Sequence, residues 1–232
     1  MTPTPGAALL FDIDGTLADT DPLHLEAFNR AFAPYGHQFD KARFARELQG
    51  LANSAIAAKF LPDLSADAGM AVLDDKEALF RALAATAIHA VPGLFALLDL
   101  ADATGIPMAA VTNAPRANAE MILDGLGITH RFKALVIGAE LAHGKPHPLP
   151  YLEGLRRLGA DAAVSVGFED SRAGIASATA AGLATIGLRT SLDDAALRGA
   201  GAVLSADGYD DPAVLELITG RLGIPGVAVA SA

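Results

Sequence analysis

Residues 9–16 of this 232-residue chain, Leu-Leu-Phe-Asp-Ile-Asp-Gly-Thr, carry an apolar run directly into two aspartates, Asp12 and Asp14. A short apolar run that ends in polar residues and glycine is typical of a buried strand followed by a turn. Two carboxylates this close together at a strand end disfavour each other's ionisation, so a cation is expected beside them. The stretch therefore predicts a strand with a negatively charged site at its carboxyl end.

Apolar runs of the same kind recur along the chain and alternate with helical stretches. Besides 7–11, we predict strands at 107–112, 135–138, 163–168 and 184–188, with a weaker one at 202–204. We predict the intervening helices at 93–104, 116–126, 149–158, 172–181 and 212–221. Such alternation is typical of an α/β fold, here a doubly wound, Rossmann-like parallel sheet with helices on both faces.

One segment, 21–90, interrupts the alternation because it contains no strand-like run. It carries only helical patterns, at 24–33, 42–48, 54–60 and 71–88. Val91-Pro92-Gly93 follows, and proline ends one helix and can begin the next. We therefore predict an all-helical cap domain at 21–90, inserted into a core domain formed by 1–20 and 91–232.

The composition excludes several functional classes. Hydrophobic residues make up 52% of the chain and charged residues 19%, which favours a folded globular protein. The absence of cysteine excludes disulfides, thiolate catalysis and Cys-ligated zinc, and favours a cytoplasmic protein. A net charge of −10 with scattered Lys and Arg argues against nucleic-acid binding. No apolar run is long enough for a membrane helix and the first residues do not form a secretory signal, so we expect no membrane association.

Polar residues follow three more of the predicted strands, at the sheet edge where ligands bind in doubly wound folds. Thr112 and Asn113 end the second strand, Lys145 follows the third, and Glu169 and Asp170 end the fourth. Each has an ordinary explanation by itself, as a helix cap or a solvated lysine. Together with the first aspartates they indicate a phosphate site, and ligands that are all oxygen favour Mg²⁺ over zinc.

These residues resemble, in order, the four motifs of the haloacid dehalogenase superfamily of phosphotransferases. The motifs are Asp12-Ile13-Asp14-Gly15-Thr16, Thr112, Lys145-Pro146 and Glu169-Asp170, and the match runs from Leu9 to about Leu188. The helical insertion is similar to the cap of the subgroup that holds phosphoglycolate phosphatases and β-phosphoglucomutases. Halide-displacing members and phosphonatases lack an aspartate at the position of Asp14, so the resemblance favours phosphate esters.

The resemblance implies a role for each motif residue. Asp12 would be the nucleophile that forms an aspartyl phosphate, and Asp14 the general acid and base. Thr112 and Lys145 would hold the phosphoryl oxygens. Mg²⁺ would be bound by Asp12, Glu169 and Asp170 together with the backbone carbonyl of Asp14.

Substrate-binding residues follow from the same resemblance. We expect them to be Thr16, Thr20, His24, Asn53, Lys76 and Asn113. His24 and Lys76 have an ordinary alternative, as a packed helix residue and a solvated helix lysine. Asn53 stands where β-phosphoglucomutases typically offer an arginine to a distal phosphate, and an amide cannot make that forked contact.

The expected activity is Mg²⁺-dependent hydrolysis of a phosphomonoester, with a small phosphorylated metabolite resembling a sugar phosphate as substrate. A β-phosphoglucomutase-like phosphosugar mutase is the alternative within the subgroup, and the departure at Asn53 disfavours it. A non-catalytic phosphate-binding protein on the same fold is the alternative of another class, and it is disfavoured because every motif position is filled. We expect a monomer or a small homo-oligomer.

Overall fold

The computed structural model describes residues 3–85 and 87–224, so parts of the predicted cap and core at 1–2, 86 and 225–232 lie outside it. Six parallel strands form one sheet in the order β3-β2-β1-β4-β5-β6. The strands are β1 (Leu9–Phe11), β2 (Met108–Thr112), β3 (Ala134–Ile137), β4 (Val166–Glu169), β5 (Ala184–Leu188) and β6 (Leu204–Ala206). The predicted doubly wound parallel sheet is confirmed. Because β1 pairs with β2 on one side and β4 on the other, it lies at the topological switch point.

Helices cover both faces of the sheet because successive strand residues point in opposite directions. Leu9 and Phe11 pack on one face with α5 (Leu94–Thr104), α6 (Arg116–Gly125) and α10 (Pro212–Leu222). Leu10 packs on the other face with α7 (Leu149–Leu158) and α8 (Arg172–Ala180). The rings of Phe11 and Phe168 stack 4.8 Å apart, which fixes β1 against β4 on the first face.

The strands β1, β4 and β6 begin two or three residues later than the sequence pattern indicates, and one short helix was not predicted. Residues 162–164 form a 3₁₀ turn, in which Asp161 accepts a hydrogen bond from Ala163 N, so β4 begins only at Val166. The additional helix α9 (Asp194–Gly199) is capped by Asp193, and it delays β6 to Leu204.

Four helices lie between β1 and α5 and form the insertion: α1 (Asp21–Phe32), α2 (Lys41–Glu47), α3 (Asn53–Phe60) and α4 (Ala66–Ala84). They share an apolar cluster of their own, built around Phe28, Phe32 and Phe60. The helix α4 starts five residues earlier than predicted because Ser65 accepts a hydrogen bond from Ala68 N as its cap. Within the described residues, no helix is both long and apolar enough to cross a membrane.

Candidate active site

The predicted motif residues meet at the carboxyl end of the sheet. Asp12 and Asp14 follow β1, Thr112 ends β2 and Glu169 ends β4, and the three strands are adjacent. Asp12 N donates to Phe168 O (3.0 Å), which carries the strand pairing up to the first aspartate. The sheet therefore brings these side chains into one crevice, as the strand-end pattern predicts.

Lys145 is the cation at the centre of this group. Its Nζ donates hydrogen bonds to Asp12 Oδ1 (2.5 Å), to Glu169 Oε1 (2.6 Å) and to Val111 O (2.8 Å). Burial alone would lower the pKa of Lys145, but the two carboxylates outweigh it and raise the pKa above its usual value. The lysine is therefore an ammonium held in place by three acceptors.

Glu169 is fully buried and orients that ammonium. Its carboxylate accepts hydrogen bonds from Tyr151 Oη (2.7 Å) and Ser171 Oγ (3.2 Å) as well as from Lys145. Gly174 leaves room for it, since a Cβ atom there would lie 1.9 Å from Glu169 Oε1. These contacts fix the position of the Glu169 carboxylate at the sheet edge.

The acidic residues at the sheet edge fit a divalent cation. Asp12, Glu169 and Asp170 are all buried, and each offers a carboxylate oxygen within 4.8 Å of the others. Burial, with repulsion from Glu169 and Asp14, raises the pKa of Asp12 to about 8 despite the attraction of Lys145. Burial and neighbouring carboxylates also raise the pKa of Asp170 well above its usual value. One lysine leaves this cluster with excess negative charge, and ligands that are all oxygen suit Mg²⁺.

Gly15 allows the turn after β1 to approach Asp170 closely. Its φ of +71° lies in the left-handed region, which favours glycine. A Cβ atom at this position would lie 2.0 Å from Asp170 Oδ2. A residue without a side chain is therefore required at position 15, because Asp170 occupies the space beside it.

Asp14 faces a different set of partners from those of Asp12. Its Oδ1 accepts hydrogen bonds from Thr20 Oγ1 (2.8 Å) and His24 Nε2 (3.0 Å). Although burial alone would raise the pKa of Asp14, His24 and Thr20 bring it below its usual value. The side chain of Asp14 is thus held apart from the acidic cluster, and its predicted metal contact involves only its backbone carbonyl.

His24 links Asp14 to the helical insertion. Its ring stacks on Phe80 with centroids 3.7 Å apart, and its Nδ1 lies 2.8 Å from Lys76 Nζ. An ammonium can only donate, so Nδ1 accepts from Lys76 and the proton on Nε2 is directed at Asp14. His24 is therefore a bridge between a motif residue and a helix of the insertion.

Glu77 pairs with Lys76, and sequence reasoning missed it. Lys76 Nζ lies 3.1 Å from each of the two carboxylate oxygens of Glu77, and both side chains are buried. Asn53 Nδ2 donates to Glu77 Oε1 (2.9 Å), and Asn118 Nδ2 of α6 donates to Glu77 Oε2 (2.7 Å). Burial alone would raise the pKa of Glu77, but Lys76 and His24 lower it. Glu77 therefore lies in the site as a buried anion.

A second group of contacts that was not predicted comes from the loop after α2. Gln49 Nε2 donates to Asp170 Oδ2 (2.5 Å) and to Asp21 Oδ2 (3.1 Å). Gly50 O accepts from Asn113 Nδ2 (2.9 Å), and a Cβ atom on Gly50 would lie 2.6 Å from the Oγ atom of Ser171. The loop therefore lies directly against the sheet edge.

A cavity of about 80 Å³ separates the sheet edge from the helical insertion. From the sheet edge it is lined by Asp12, Asp14, Thr112, Asn113, Lys145 and Asp170. From the insertion it is lined by Asp21, His24, Gln49, Asn53, Lys76 and Glu77 together with apolar side chains. Most of the predicted catalytic and substrate-binding residues therefore share one cavity.

Three predicted residues have surroundings that differ from those expected. Thr16 does not line the cavity; its Oγ1 is buried and has no hydrogen-bond partner among the described residues. Thr20 reaches the site only through Asp14. The amide of Asn113 is occupied in positioning, since its Oδ1 accepts from Lys145 N (3.0 Å) and its Nδ2 donates to Lys145 O (3.1 Å). Their direct contact with substrate stays a prediction.

The fold and the arrangement of the site correspond to a known class of enzyme. A sequence model of the haloacid dehalogenase-like hydrolases matches residues 9–188, and the chain belongs to that family. This match and the phosphatases among the relatives confirm the predicted enzyme class. They also confirm the resemblance to the phosphoglycolate phosphatase and β-phosphoglucomutase subgroup.

Particular relatives include two curated proteins and one solved structure. CbbY of Rhodobacter capsulatus is 34% identical over 189 residues, covering 77% of this chain and 83% of that protein. Fructose-1-phosphate phosphatase YqaB of Escherichia coli (strain K12) is 33% identical over 187 residues, covering 79% and 96% of the two chains. The crystal structure of CbbY from Rhodobacter sphaeroides in complex with xylulose-(1,5)bisphosphate is 29% identical. It has a TM-score of 0.75 and covers 88% of this chain and 95% of that one.

Proposed function

We propose that the protein is a Mg²⁺-dependent phosphomonoester hydrolase that acts on a small phosphorylated sugar through an aspartyl phosphate. The observation that carries this proposal is that the two aspartates after β1 have different hydrogen-bond partners and charged neighbours. Asp12 lies beside Lys145 and the acidic cluster, where an anionic phosphoryl group can be balanced by cations. Asp14 lies beside Thr20 and His24, outside that cluster.

This division suits a reaction in two steps. In the first, a carboxylate oxygen of Asp12 bonds to phosphorus while the ester P–O bond breaks. Asp14, whose pKa lies below its usual value, must take up a proton before this step, and it gives that proton to the departing alcohol oxygen. In the second, Asp14 takes a proton from water, whose oxygen bonds to phosphorus while the aspartyl P–O bond breaks. The products are the alcohol and inorganic phosphate, and both aspartates return to their starting forms.

Lys145 and Thr112 support binding of the phosphoryl oxygens. Ala114 N donates to Thr112 Oγ1 (2.9 Å), so the hydroxyl proton can be directed to a phosphoryl oxygen. The ammonium of Lys145 offers a point charge beside Asp12. Asp12, Glu169, Asp170 and the backbone carbonyl of Asp14 would hold Mg²⁺, which when bound stabilises the negative charge of the phosphoryl group.

We infer that residues 21–90 act as a cap that opens to admit the substrate. The cavity of about 80 Å³ is well below the roughly 300–1,000 Å³ of common ligand pockets. The contacts of Gln49 with Asp170 and of Gly50 with Asn113 would break on opening and form again on closure. Closure excludes bulk water while Asp12 is phosphorylated.

The relatives support a sugar phosphate as the substrate. One is named a fructose-1-phosphate phosphatase, and the solved structure of another holds a sugar bisphosphate. The mutase alternative is not favoured, because Asn53 donates to Glu77 and supplies no cation for a distal phosphate. A non-catalytic phosphate-binding protein is not favoured either, because both aspartates and Lys145 are in place.

The test is release of inorganic phosphate from fructose 1-phosphate, with Mg²⁺ and after its removal by a chelator. We expect release that requires Mg²⁺. The same preparation is given β-glucose 1-phosphate with its bisphosphate activator, and isomerisation without phosphate release would replace the proposal by the mutase. Phosphate binding without turnover of any ester would replace it by the binding protein.

A further inference from the structure

The part of the cavity that is lined by residues of the helical insertion is called the cap end here. As far as the described residues show, every cation at the cap end has a carboxylate partner. Two lysines and no arginine are among the lining residues, against five carboxylates. Lys145 is paired with Asp12 and Glu169 at the sheet edge. Among the described residues, Lys76 is the only lysine that lines the cavity from the cap, and it is paired with Glu77.

The pair at the cap end is fixed rather than exchangeable. Glu77 is 4% exposed, and amide donors hold each of its two oxygens in addition to Lys76. Lys76 Nζ also lies 4.2 Å above the ring of Phe28, and its third close neighbour is His24 Nδ1. A substrate anion that approached Lys76 would meet a carboxylate already within 3.1 Å of the same ammonium.

The other polar groups at this end suit hydroxyls. Gln49 and Asn53 line the cavity with amides and Asp21 lines it with a further carboxylate. Apart from His24 and the pair of Lys76 and Glu77, the other side chains of the cap lining are apolar, among them Phe28, Phe44 and Ile56. Amides form hydrogen bonds with sugar hydroxyls but cannot neutralise a second phosphate or a carboxylate. Burial of an unpaired anion at such a place is strongly unfavourable.

We propose that Glu77 is a specificity-determining residue, which neutralises Lys76 and restricts the substrate to phosphomonoesters whose organic part is uncharged and bears hydroxyls. Esters with a second phosphate or a carboxylate are discriminated against. The inference rests on the proposed hydrolase function. The substrate class that it gives is narrower than the one that the relatives suggest as a group, since one of them holds a bisphosphate in its crystal structure.

The first experiment compares three substrates of the wild-type enzyme with Mg²⁺ at neutral pH. Fructose 1-phosphate has an uncharged tail, fructose 1,6-bisphosphate adds a second phosphate to the same sugar, and phosphoglycolate has a carboxylate tail. We expect kcat/KM for fructose 1-phosphate to exceed that of both others by at least about tenfold. Equal or higher values for either anionic tail would overturn the inference. No hydrolysis of any of the three would instead count against the proposed function.

Variants then test whether Glu77 is the cause. Glu77→Gln removes one negative charge, and Asn53→Arg adds one positive charge at the same end of the cavity. We expect each to raise the ratio of kcat/KM for the bisphosphate over fructose 1-phosphate by about tenfold. Asn118→Ala is the matched control, because it removes a hydrogen bond to Glu77 without changing the charge, and its ratio should equal that of the wild type.

The two charge variants differ in their structural risk, so one remains informative if the other does not fold. Glu77→Gln loses a buried ion pair, whereas Asn53→Arg changes a half-buried side chain at the start of α3. A ratio unchanged in whichever charge variant folds would overturn the role of Glu77. A ratio changed to the same extent in Asn118→Ala would assign the effect to the position of the cap rather than to charge.

Discussion

The two ends of the cavity differ in how their charges are balanced. At the sheet edge, Asp12, Glu169 and Asp170 surround a single lysine, so negative charge is in excess. At the cap end, Lys76 and Glu77 form a pair of equal and opposite charges. An excess of buried negative charge requires a further cation, whereas a balanced pair does not. The comparison separates the end suited to chemistry from the end suited to recognition.

The largest effect is expected where the nucleophile is removed. Asp12→Asn keeps the size of the side chain but cannot form an acyl phosphate, so kcat should fall by about 10⁴-fold or more. Steady-state phosphate release measures the loss, and incubation with a ³²P-labelled substrate followed by acid quenching should find no phosphoenzyme. If Asp12→Asn hydrolysed substrate at the normal rate, Asp12 would not be the nucleophile, and the proposed division of roles between Asp12 and Asp14 would be wrong. Unchanged thermal unfolding would show that the loss is chemical.

Asp14→Asn should have the next largest effect. Asparagine still offers an acceptor oxygen to Thr20 and His24, but it cannot transfer a proton, and kcat should fall by about 10²–10⁴-fold. Nitrophenyl phosphate has a leaving group that needs little protonation. It should therefore give a burst of nitrophenol followed by slow turnover, because only the hydrolysis of the phosphoenzyme still requires the base. A matched control, Thr20→Val, removes one of the donors to Asp14 and should lose much less.

The sheet edge could be predicted from sequence because each of its residues follows an apolar strand. Parallel strands place their carboxyl ends together, so Asp12, Thr112 and Asp170 converge without knowledge of the packing. Thr16 shows the limit of this reasoning, because it lies in a motif but its buried side chain does not line the cavity. The position of a residue after a strand predicts that it lies near the site. Whether its side chain lines the cavity depends on the conformation of the turn that follows the strand.

The cap end could not be predicted in the same way. Residues 74–77, Asp-Asp-Lys-Glu, resemble a solvated helix face, whereas in the structure Glu77 is buried and accepts hydrogen bonds from Asn53 of α3 and Asn118 of α6. Gln49 gave no signal because its partners, Asp21 and Asp170, lie 28 and 121 residues away. The missed helix α9 has six residues, too few to display helical periodicity clearly. The omissions of Glu77 and Gln49 depend on tertiary contacts, and that of α9 on the shortness of the helix.

The balanced pair at the cap end should also contribute to stability in a pH-dependent way. Glu77→Gln should lower the free energy of unfolding by about 1–3 kcal/mol at pH 7, since a buried partner of Lys76 is lost. The pKa of Glu77 in the folded protein lies below its ordinary value of 4.5. Its stabilisation is therefore complete above that value and is lost as the pH falls through the folded-state pKa.

Urea unfolding of the wild type and Glu77→Gln at pH 7, 5 and 4 measures this difference. The gap between the two proteins should be largest at pH 7, little changed at pH 5 and smaller at pH 4. A gap that widens on acidification would contradict an anionic Glu77. Asn118→Ala keeps the charges of the pair, so its difference from the wild type should vary much less with pH.

The smallest effect concerns Gln49, which joins the two ends. Its amide donates to Asp170 at the sheet edge from a loop of the cap, and Asp21 accepts from the same nitrogen. Gln49→Ala should lower kcat/KM by about tenfold, because a hydrogen bond to a charged group is lost from the closed state. Gln49→Glu should lose more, since it would place a third carboxylate between Asp21 and Asp170. If both variants hydrolyse fructose 1-phosphate as the wild type does, the loop contact has no part in catalysis. A loss confined to Gln49→Glu would show that Gln49 matters because it is uncharged. The charge at the sheet edge would then be more important for catalysis than the hydrogen bond from Gln49 to Asp170.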